Sequence, residues 1–567
     1  MKGTGASSGI GIGKAVIVND VLPEVLKRYI DDADREIEVF MEKLENTKKE
    51  TARLAGILEE KASETEAQIL NGHVLLMSDP ALIDEITGII KNEKICAESA
   101  IDSVCGNYAD IFASMDDELM QQRAADMKDI RNRLIKAVLG IETVDTALIP
   151  AGSILVAQDL TPSMTAGLNP ENICGIVTKF GGRTSHSAIL SRALEIPAVV
   201  GAADILEYVN DEDIVCFDGD SGEICINPDL KTLAEYEGKR DAFLRERSEL
   251  NSYRGKTSQT LDGVRVELAA NIGNPDDAKK ALEYDAEGIG LFRTEFLFMD
   301  RNTAPSENEQ FEAYKSVALI MGGKPVIIRT LDIGGDKEIP YMNIEKDENP
   351  FLGYRAVRLC LDRKDDIYKP QLRALLRASA FGNIKIMIPF ITGVDEFRAA
   401  KAAVLEAMKE LDLEGIKYNR GIEIGVMMET AAASIMADVI AKEADFFSIG
   451  TNDLTQYTLA VDRGNTKISY LYSTYNPAVL RSIRNIIYAG KNAGISVGMC
   501  GEAAADPKMV PLLLAWGLDE FSMSASSILK TRKAVMGYDT ALLKEIADKA
   551  LSFATEEEVR HYLEGIC

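Results

Sequence analysis

The residues best suited to chemistry in this chain lie in the segment Gly181-Gly182-Arg183-Thr184-Ser185-His186. His186 is one of only three histidines, and the apolar run Ala188-Ile189-Leu190 behind it predicts the start of a helix. Backbone N–H groups in a first helical turn bind phosphate, and an imidazole can attack phosphorus to form a covalent intermediate. A capped helix start with a solvated histidine would have the same local sequence, so both interpretations stay open at this point.

The residues around His186 predict an α/β domain. Short strand-like runs occur at 153–157, 173–177 and 213–217, and the earlier run Ala15-Val16-Ile17-Val18 is predicted to join their sheet. Residues 21–145 are dense in charge and have apolar residues at helical spacing, which predicts a helical bundle. We therefore expect residues 1–20 and 146–228 to form one domain into which the bundle is inserted.

The rest of the chain predicts a (β/α)8 barrel. Residues 229–258 are charged and favour a helical linker. Eight strand-like runs alternate with helix-like segments across residues 259–567, a pattern typical of this barrel, whose active site lies at the carboxyl ends of the strands. The runs occupy 264–268, 288–292, 326–328, 384–388, 422–427, 446–449, 495–499 and 520–523.

Residues that could bind an anion or a metal follow successive strands of the predicted barrel. In strand order they are Arg293 and Glu295, Arg329 and Asp332, Glu429, Asn452 and Asp453, and then Cys500 and Glu502, with Arg463 ten residues beyond Asp453. Guanidinium groups suit phosphate and carboxylate, and paired acids suit Mg²⁺. A buried, inert thiol is the commoner fate of a cysteine, but at a barrel mouth Cys500 could equally be an acid or a nucleophile.

The composition indicates which partners to expect. The 90 acidic and 63 basic side chains give a formal net charge of −27, which repels nucleic acid and anionic membranes and favours a basic protein partner. No run approaches the roughly 20 apolar residues that span a bilayer, and the amino terminus lacks the apolar core of a signal peptide. We expect a cytoplasmic protein, and the eight scattered cysteines are typical of free thiols.

Taken together, these segments resemble the Enzyme I family of the phosphoenolpyruvate-dependent sugar phosphotransferase system over nearly the whole chain. The likeness is carried by the His186 segment and by the motifs Phe292-Arg293-Thr294-Glu295-Phe296, Arg329-Thr330-Leu331-Asp332, Gly450-Thr451-Asn452-Asp453 and Met499-Cys500-Gly501-Glu502. Two positions depart from it: Ser8 stands where we expect proline, and Met164 where we expect glutamate.

The resemblance implies a reaction and a role for each site residue. Phosphoenolpyruvate would phosphorylate His186, which would pass the phosphoryl group to a histidine of the small carrier protein HPr, with release of pyruvate. The residues implied are Arg293, Arg329, Asn452, Asp453 and Arg463 for substrate, Glu429 and Asp453 for Mg²⁺, and Cys500 for protonation of the enolate. The bundle would dock HPr, with His73 in that surface or capping a turn, and the barrels would pair as homodimers. We expect the third histidine, His561, on the surface.

The sequence leaves three alternative functions open. A dikinase or phosphoenolpyruvate synthase shares the histidine and barrel modules but needs an ATP-binding domain. A nitrogen-related Enzyme I carries an extra amino-terminal sensory domain. A non-catalytic adaptor would use the long helices alone, although every residue implied in the chemistry is present.

Overall fold

The computed structural model describes residues 1–566 except 19–24, 62–63, 115–117, 142–148, 161–163, 165–167, 183–184, 300, 336–338 and 346, and it describes His186 by its backbone. The chain divides into two compact units, Met1–Arg247 and Ser248–Cys567. Among the described residues, no helix is long and apolar enough to cross a membrane.

The first unit contains a seven-stranded sheet in the order β1-β5-β4-β3-β2-β6-β7. Strands β2 to β5 run parallel, whereas β1, β6 and β7 pair antiparallel with their neighbours. The strands are β1 (Thr4–Ser7), β2 (Ile10–Val18), β3 (Ser153–Ala157), β4 (Ile173–Thr178), β5 (Ala198–Val200), β6 (Ile214–Asp218) and β7 (Ile224–Ile226). β2 lies beside β3 in this sheet, so the helices between them are an insertion, and two apolar clusters fill the faces of the sheet.

In the part of the inserted bundle that the structure describes there are five helices. They are α1 (Ala33–Lys61), α2 (Glu64–Met77), α3 (Pro80–Glu93), α4 (Ala97–Ala113) and α5 (Glu118–Leu139). The apolar stripes of these helices meet in one core that includes Phe40, Ile86 and Ile101. Asp79 caps α3 by accepting a hydrogen bond from the Ala81 N–H at 2.9 Å, directly before Pro80 at the first helical position.

The expectation that His73 lies in a docking surface or caps a turn is wrong. His73 lies inside α2 and has no exposed surface. Its Nε2 is 3.3 Å from Asp126 Oδ1 and its Nδ1 is 3.6 Å from Asp129 Oδ2, both on α5. The imidazole is therefore a buried polar contact between two helices, which a single sequence cannot distinguish from an exposed histidine on the same helix. His561 is exposed, as expected.

Among the described residues of the first unit outside the bundle, two short helices and one long helix have defined bounds. They are α6 (His186–Ala193), α7 (Ile205–Tyr208) and α8 (Leu230–Asn251), the last of which crosses the boundary between the units. Within the first unit α8 packs through Tyr236, which is almost fully buried, and the Phe243 ring lies against Gly9. Most of its other side chains are polar and exposed, as the charged composition of the predicted linker indicates.

The second unit is a closed barrel of eight parallel strands, so the prediction of a (β/α)8 fold is confirmed. The strands are β8 (Glu267–Ile272), β9 (Gly288–Arg293), β10 (Val326–Arg329), β11 (Ile384–Ile388), β12 (Ile424–Met428), β13 (Phe446–Ile449), β14 (Ser496–Met499) and β15 (Glu520–Met523). β8 begins three residues later than predicted because Thr260 and Val264 form a turn before it.

Helices surround the barrel and bury its outer face. They are α9 (Pro275–Glu283), α10 (Glu307–Met321), α11 (Val357–Asp362), α12 (Lys369–Ala378), α13 (Val394–Glu414), α14 (Ala431–Ile435), α15 (Ala437–Ile440), α16 (Thr451–Leu459), α17 (Pro477–Ala493), α18 (Val510–Trp516), α19 (Ile528–Met536), α20 (Thr540–Ser552) and α21 (Glu556–Glu564). One continuous apolar core joins these helices to the strands.

Two carboxylates lie side by side at the amino-terminal end of the barrel. Glu267 and Glu520 are the first residues of neighbouring strands and are paired in register. The Oε1 atoms of both are buried and accept no hydrogen bond from the described residues. Burial, with a further contribution from the Glu267 charge, raises the pKa of Glu520 to about 8. Glu520 therefore keeps its proton in the folded protein at neutral pH.

This raised pKa predicts that the barrel loses stability as the pH rises. The unfolded chain releases the Glu520 proton near pH 4.5, whereas the folded barrel holds it up to about pH 8, so stability falls between those values. The variant Glu520→Gln removes the penalty and should stabilise the barrel at pH 8 by about 4 kcal/mol, but hardly at pH 4.5. Urea unfolding followed by the fluorescence of Trp516, the only tryptophan, measures this.

Glu312→Gln is the control, because Glu312 is a surface carboxylate paired only with Lys315 among the described residues. It should change the free energy of unfolding little at either pH. An equal stabilisation by Glu520→Gln at pH 4.5 and pH 8 would show that the Glu520 carboxyl is not held protonated by the fold.

Candidate active site

Gly181, Gly182 and Ser185 are the described residues directly before α6, and the Ser185 N–H donates a hydrogen bond to the Gly182 carbonyl at 3.0 Å. Gly181 has a φ of +106°, and a Cβ at this position would lie 2.8 Å from the Ser185 Oγ. Only glycine fits both constraints. Ser185 is the N-cap of α6 and accepts a hydrogen bond from the Ala188 N–H. His186 is thus the first residue of the helix, and its side chain lies outside the described part of the chain.

Contacts from β1 and from the loop after β3 hold α6 in place. Ser187 donates a hydrogen bond to Asp159 and accepts one from the Leu160 N–H at 3.1 Å. Near the other end of the helix, Arg192 donates to the Ala6 carbonyl at 3.0 Å. These bonds fix the orientation of the helix that begins with His186.

The two departures from the family pattern have structural counterparts. Ser8 donates a hydrogen bond to Asp220 Oδ1 at 2.6 Å, which ties the turn after β1 to the β6–β7 turn. Met164 is partly buried and packs against the apolar cluster beneath α6. Both residues therefore stabilise the domain by contacts of their own.

At the carboxyl end of the barrel, charged side chains form one connected buried network. Arg329, which ends β10, donates to Glu295 at 2.6 Å and lies 2.9 Å from Asp332 Oδ2. Arg329, Glu295 and Asp332 are each less than 10% exposed. Burial opposes the charge on Arg329, but the adjacent Glu295 and Asp332 carboxylates outweigh it and raise the pKa of the guanidinium. The barrel therefore holds a permanently charged cation in its mouth.

Arg355 extends this network, and the sequence analysis missed it. It follows the long loop after β10, where no strand or helix periodicity marks its position. Its side chain is 1% exposed, donates to Asp332 Oδ1 at 2.7 Å and to the Tyr457 hydroxyl at 2.9 Å, and lies 3.5 Å from Asp453 Oδ2. The signal that could have identified Arg355 is its position between β10 and α11, at the carboxyl end of the barrel where active-site residues gather.

Buried donors in this network lack acceptors. The Nε atoms of Arg329 and Arg355 are buried and donate no hydrogen bond to any described residue. Buried polar groups in folded proteins almost always have a partner. Phosphate and carboxylate oxygens are the acceptors that guanidinium groups bind best. The site therefore has the donor set expected for an anion.

Glu429 follows β12 and is buried among the other acids of the site. Its Oε1 accepts the Phe390 N–H at 2.7 Å, and Phe390 reaches this position with a φ of +60°. A side chain at Gly450 would lie 2.8 Å from Glu429 Oε2, so the glycine leaves room for the carboxylate. Burial, and then the Asp453 and Asp332 charges, raise the pKa of Glu429 to about 8.

Asn452, Asp453 and Arg463 meet around the start of α16, as their spacing predicts. Asp453 is 7% exposed and accepts a hydrogen bond from Arg463 at 3.2 Å. The backbone carbonyl of Asn452 accepts a bond from the Tyr472 hydroxyl at 3.0 Å. Arg463 thus reaches back from the loop after α16 to the carboxyl end of β13.

Cys500 lies directly after β14, with its side chain in an apolar layer inside the barrel. It is 3% exposed, clusters with Leu291, Ile327 and Met427, and its Sγ is 3.8 Å from the Ile449 carbonyl. Burial raises the pKa of the thiol to about 11. At neutral pH Cys500 is therefore a protonated thiol, which can donate a proton but is a poor nucleophile.

Arg293 ends β9 at the same rim but is exposed. It lines a cavity of about 480 Å³ together with Asn271, Asp277 and Phe296. The loops at the barrel mouth would therefore offer a substrate the buried guanidinium groups of Arg329 and Arg355 and the exposed one of Arg293.

The donor set at Glu429 and Asp453 fits Mg²⁺, a hard cation that prefers oxygen ligands. Mg²⁺ in phosphate-binding sites is usually held by one or two carboxylates together with the substrate and water. Among the described residues no group of three or more His, Cys, Asp or Glu could hold a metal. Two converging carboxylates match the protein's share of such a site, and substrate oxygens would supply the rest.

Three models of phosphoenolpyruvate-utilising enzymes match the chain: the N-terminal domain over residues 2–123, the mobile domain over 149–222 and the PEP-binding domain over 247–540. A solved NMR structure of Enzyme I (nEIt) is 36% identical, covers 43% of this chain and 99% of its own, and superposes with a TM-score of 0.39.

Curated relatives match over almost their full length. The phosphoenolpyruvate-protein phosphotransferase of Staphylococcus carnosus is 47% identical over 99% of this chain and 97% of its own. That of Staphylococcus epidermidis is 48% identical over 99% and 98%, and that of Bacillus sp. (strain S) is 48% identical over 98% and 96%. This chain is therefore an enzyme of the phosphoenolpyruvate-protein phosphotransferase family, also called Enzyme I.

Proposed function

We propose that this enzyme transfers the phosphoryl group of phosphoenolpyruvate to His186 and then to HPr in the cytoplasm, releasing pyruvate as the first step of sugar uptake. The observation that supports it most is the pair of buried guanidinium N–H groups on Arg329 and Arg355 at the barrel mouth, for which the described residues offer no acceptor. The phosphate and carboxylate of phosphoenolpyruvate are acceptors of the required kind.

We assign a role to each part of the chain. Residues 1–20 and 146–228 form the phosphohistidine domain, and residues 21–145 dock HPr. Residues 229–258 link that half to the barrel, which spans residues 259–567, binds phosphoenolpyruvate and pairs with a second copy. The chain has 90 acidic and 63 basic side chains, and the resulting net charge of −27 would attract a basic carrier protein.

Phosphoryl transfer from the substrate relies on charge neutralisation and positioning. Arg293, Arg329 and Arg463 would bind the substrate anion, and Arg355 would fix Asp332 and Asp453 around it. Asn452 and Asp453 would orient the substrate from the start of α16. Glu429 and Asp453 would hold Mg²⁺, which when bound adds positive charge beside the transferring phosphoryl oxygens.

Loss of the phosphoryl group leaves the enolate of pyruvate, which must gain a proton on carbon. Cys500 is the group we assign to this step, because burial keeps its thiol protonated. A buried acid inside the barrel is shielded from water, so its proton is delivered to a substrate bound above it.

The assignment of His186 predicts where phosphate is incorporated. Incubation with ³²P-phosphoenolpyruvate and Mg²⁺ should label the wild-type chain with an acid-labile, base-stable phosphate, and His186→Ala should abolish the label. Subsequent addition of purified HPr should move the label to HPr. His561→Ala is the matched control, because His561 is an exposed histidine on α21 and its loss should leave labelling unchanged. A label that persists in His186→Ala would contradict the proposal.

The assignment of Cys500 predicts that its loss divides the reaction into two parts. Cys500→Ala should slow pyruvate formation by about 100-fold or more, since general acids contribute about that much. Phosphate exchange between phospho-HPr and His186 should stay near the wild-type rate, because no carbon is protonated there. Cys360→Ala, which removes a second fully buried barrel thiol, should affect neither reaction strongly. Equal loss of both reactions in Cys500→Ala would indicate a structural thiol.

The geometry of Arg355 predicts that a lysine cannot replace it. Arg355 binds Asp332 and Tyr457 through different nitrogens, which a single ammonium group cannot reproduce. Arg355→Lys should lower kcat/KM for phosphoenolpyruvate by more than about tenfold, measured from the initial rate of His186 labelling. Arg398→Lys serves as control, since Arg398 is an exposed arginine of α13 that pairs with Glu443, and should change this rate by less than about threefold. Similar losses in both variants would contradict this role.

A further inference from the structure

Cys216 and Cys225 face each other across the β6–β7 hairpin, away from the residues of the proposed reaction. They are paired directly opposite one another in the antiparallel register, and both are free thiols. Opposite residues on paired strands project their side chains to the same face of the sheet. The two sulfur atoms therefore lie next to each other on one side of the hairpin.

The hydrogen bonds of the hairpin define the spacing of this pair. The Asp218 N–H donates to the Glu223 carbonyl at 2.9 Å, and the Asn227 N–H donates to the Ile214 carbonyl at 2.7 Å. Cys216 and Cys225 lie midway between these pairs, two residues from each, so they belong to the hydrogen-bonded class with a Cα separation of about 5.5 Å. Disulfides span Cα distances of roughly 4.4–6.8 Å, which includes this separation. The Cβ atoms of a hydrogen-bonded pair lie about 5.5 Å apart, whereas a disulfide needs roughly 3.5–4.5 Å, so the bond draws the two strands together and is strained and readily reduced.

The two thiols differ in access. Cys216 is fully buried, and Cys225, on the last strand of the sheet, is partly exposed. The intervening residues Phe217 and Ile224 point to the opposite face and fill an apolar cluster there. An oxidant would therefore reach Cys225 first.

One side chain of the linker helix α8, Tyr236, is buried in this part of the first unit and is 7% exposed. Burial raises the pKa of its hydroxyl to about 12, with smaller contributions from Glu223, Cys225, Asp218 and Cys216. The Tyr236 side chain is therefore the part of α8 that we expect to limit access to the two sulfur atoms.

We propose that Cys216 and Cys225 are a reversible redox modification site, a dithiol that a peroxide converts to a disulfide when α8 exposes it. The Cys225 thiolate attacks one oxygen of hydrogen peroxide, the O–O bond breaks, and a sulfenic acid forms with release of water after protonation. The Cys216 sulfur then attacks that sulfenic sulfur, the S–O bond breaks, and a second water leaves with the thiol proton. Two thiols and one peroxide give one disulfide and two waters.

Peptide mapping of the native protein tests this proposal. The full-length chain is treated with a small excess of hydrogen peroxide, unfolded, alkylated with iodoacetamide and digested with endoproteinase Glu-C, which cleaves after Glu223 between the two cysteines. We expect a linked peptide pair containing Cys216 and Cys225, which dithiothreitol releases, and two of the eight thiols protected from alkylation. Cys225→Ser should abolish the product and Cys174→Ser, a partly exposed cysteine of β4, should leave it intact. Absence of this pair, or its formation only after unfolding, would overturn the proposal.

A second pair of variants tests the covering role of the helix. Tyr236→Ala should raise the rate of disulfide formation at least fivefold by uncovering the thiols, while the exposed Tyr208→Ala should leave it unchanged. Equal rates in wild type and Tyr236→Ala would show that α8 does not control access. The readout is the linked peptide itself, so it is independent of phosphoryl transfer.

Discussion

The burial of two guanidinium groups at the mouth of the barrel is the constraint on which the candidate site depends. Removing an ion from water costs several kcal/mol, and only accurately placed partners of opposite charge offset that cost. Arg329 and Arg355 meet this requirement through Glu295, Asp332 and Asp453, each supplied by a different loop. Because every partner follows a barrel strand or its helix, the closed sheet sets the spacing of the charges. The network also leaves donors unpaired, which a purely structural ion cluster would not need.

The two ends of the barrel differ in how their buried acids are paired. At the mouth, Glu295, Asp332 and Asp453 are paired with arginines and the backbone is strained, with positive φ at Phe390 and Ala356. At the amino-terminal end, Glu267 and Glu520 lie together without hydrogen bonds from the described residues, and burial favours the protonated form. Burial raises the pKa of Glu429 at the mouth in the same way, so the charges that stay available for a ligand there are the guanidinium groups of Arg329 and Arg355. Strain and unpaired donors therefore occur together where a substrate is expected, in keeping with the location of active sites in such barrels.

Much of this architecture was predictable because it is periodic. The eight strands repeat apolar runs at regular intervals, and the polar residues that follow them must share one end of a parallel barrel. Arg355 was missed because it follows a long loop. In such a loop no apolar periodicity indicates where a residue of the sequence lies in the fold. His73 was assigned wrongly because a helix presents buried and exposed residues at similar spacing, and only the partner on α5 decides between them. Cys216 and Cys225 lie opposite each other because of the register between β6 and β7. The spacing of two cysteines in a sequence does not predict that register.

The two ends of the linker helix α8 belong to different units, and each end has contacts within its own unit. In the first unit Tyr236 and Phe243 pack against the sheet domain, and Arg247 pairs with Glu195 just after α6. In the second, Glu249 pairs with Lys533. Arg532 binds the Tyr253 carbonyl and is itself 1% exposed. Contacts within the first unit therefore hold the helix up to Arg247, and contacts within the second unit hold it from Glu249, with the single residue Ser248 between them. Release of the contacts within the first unit would also free Tyr236, the side chain that we expect to limit access to the two thiols.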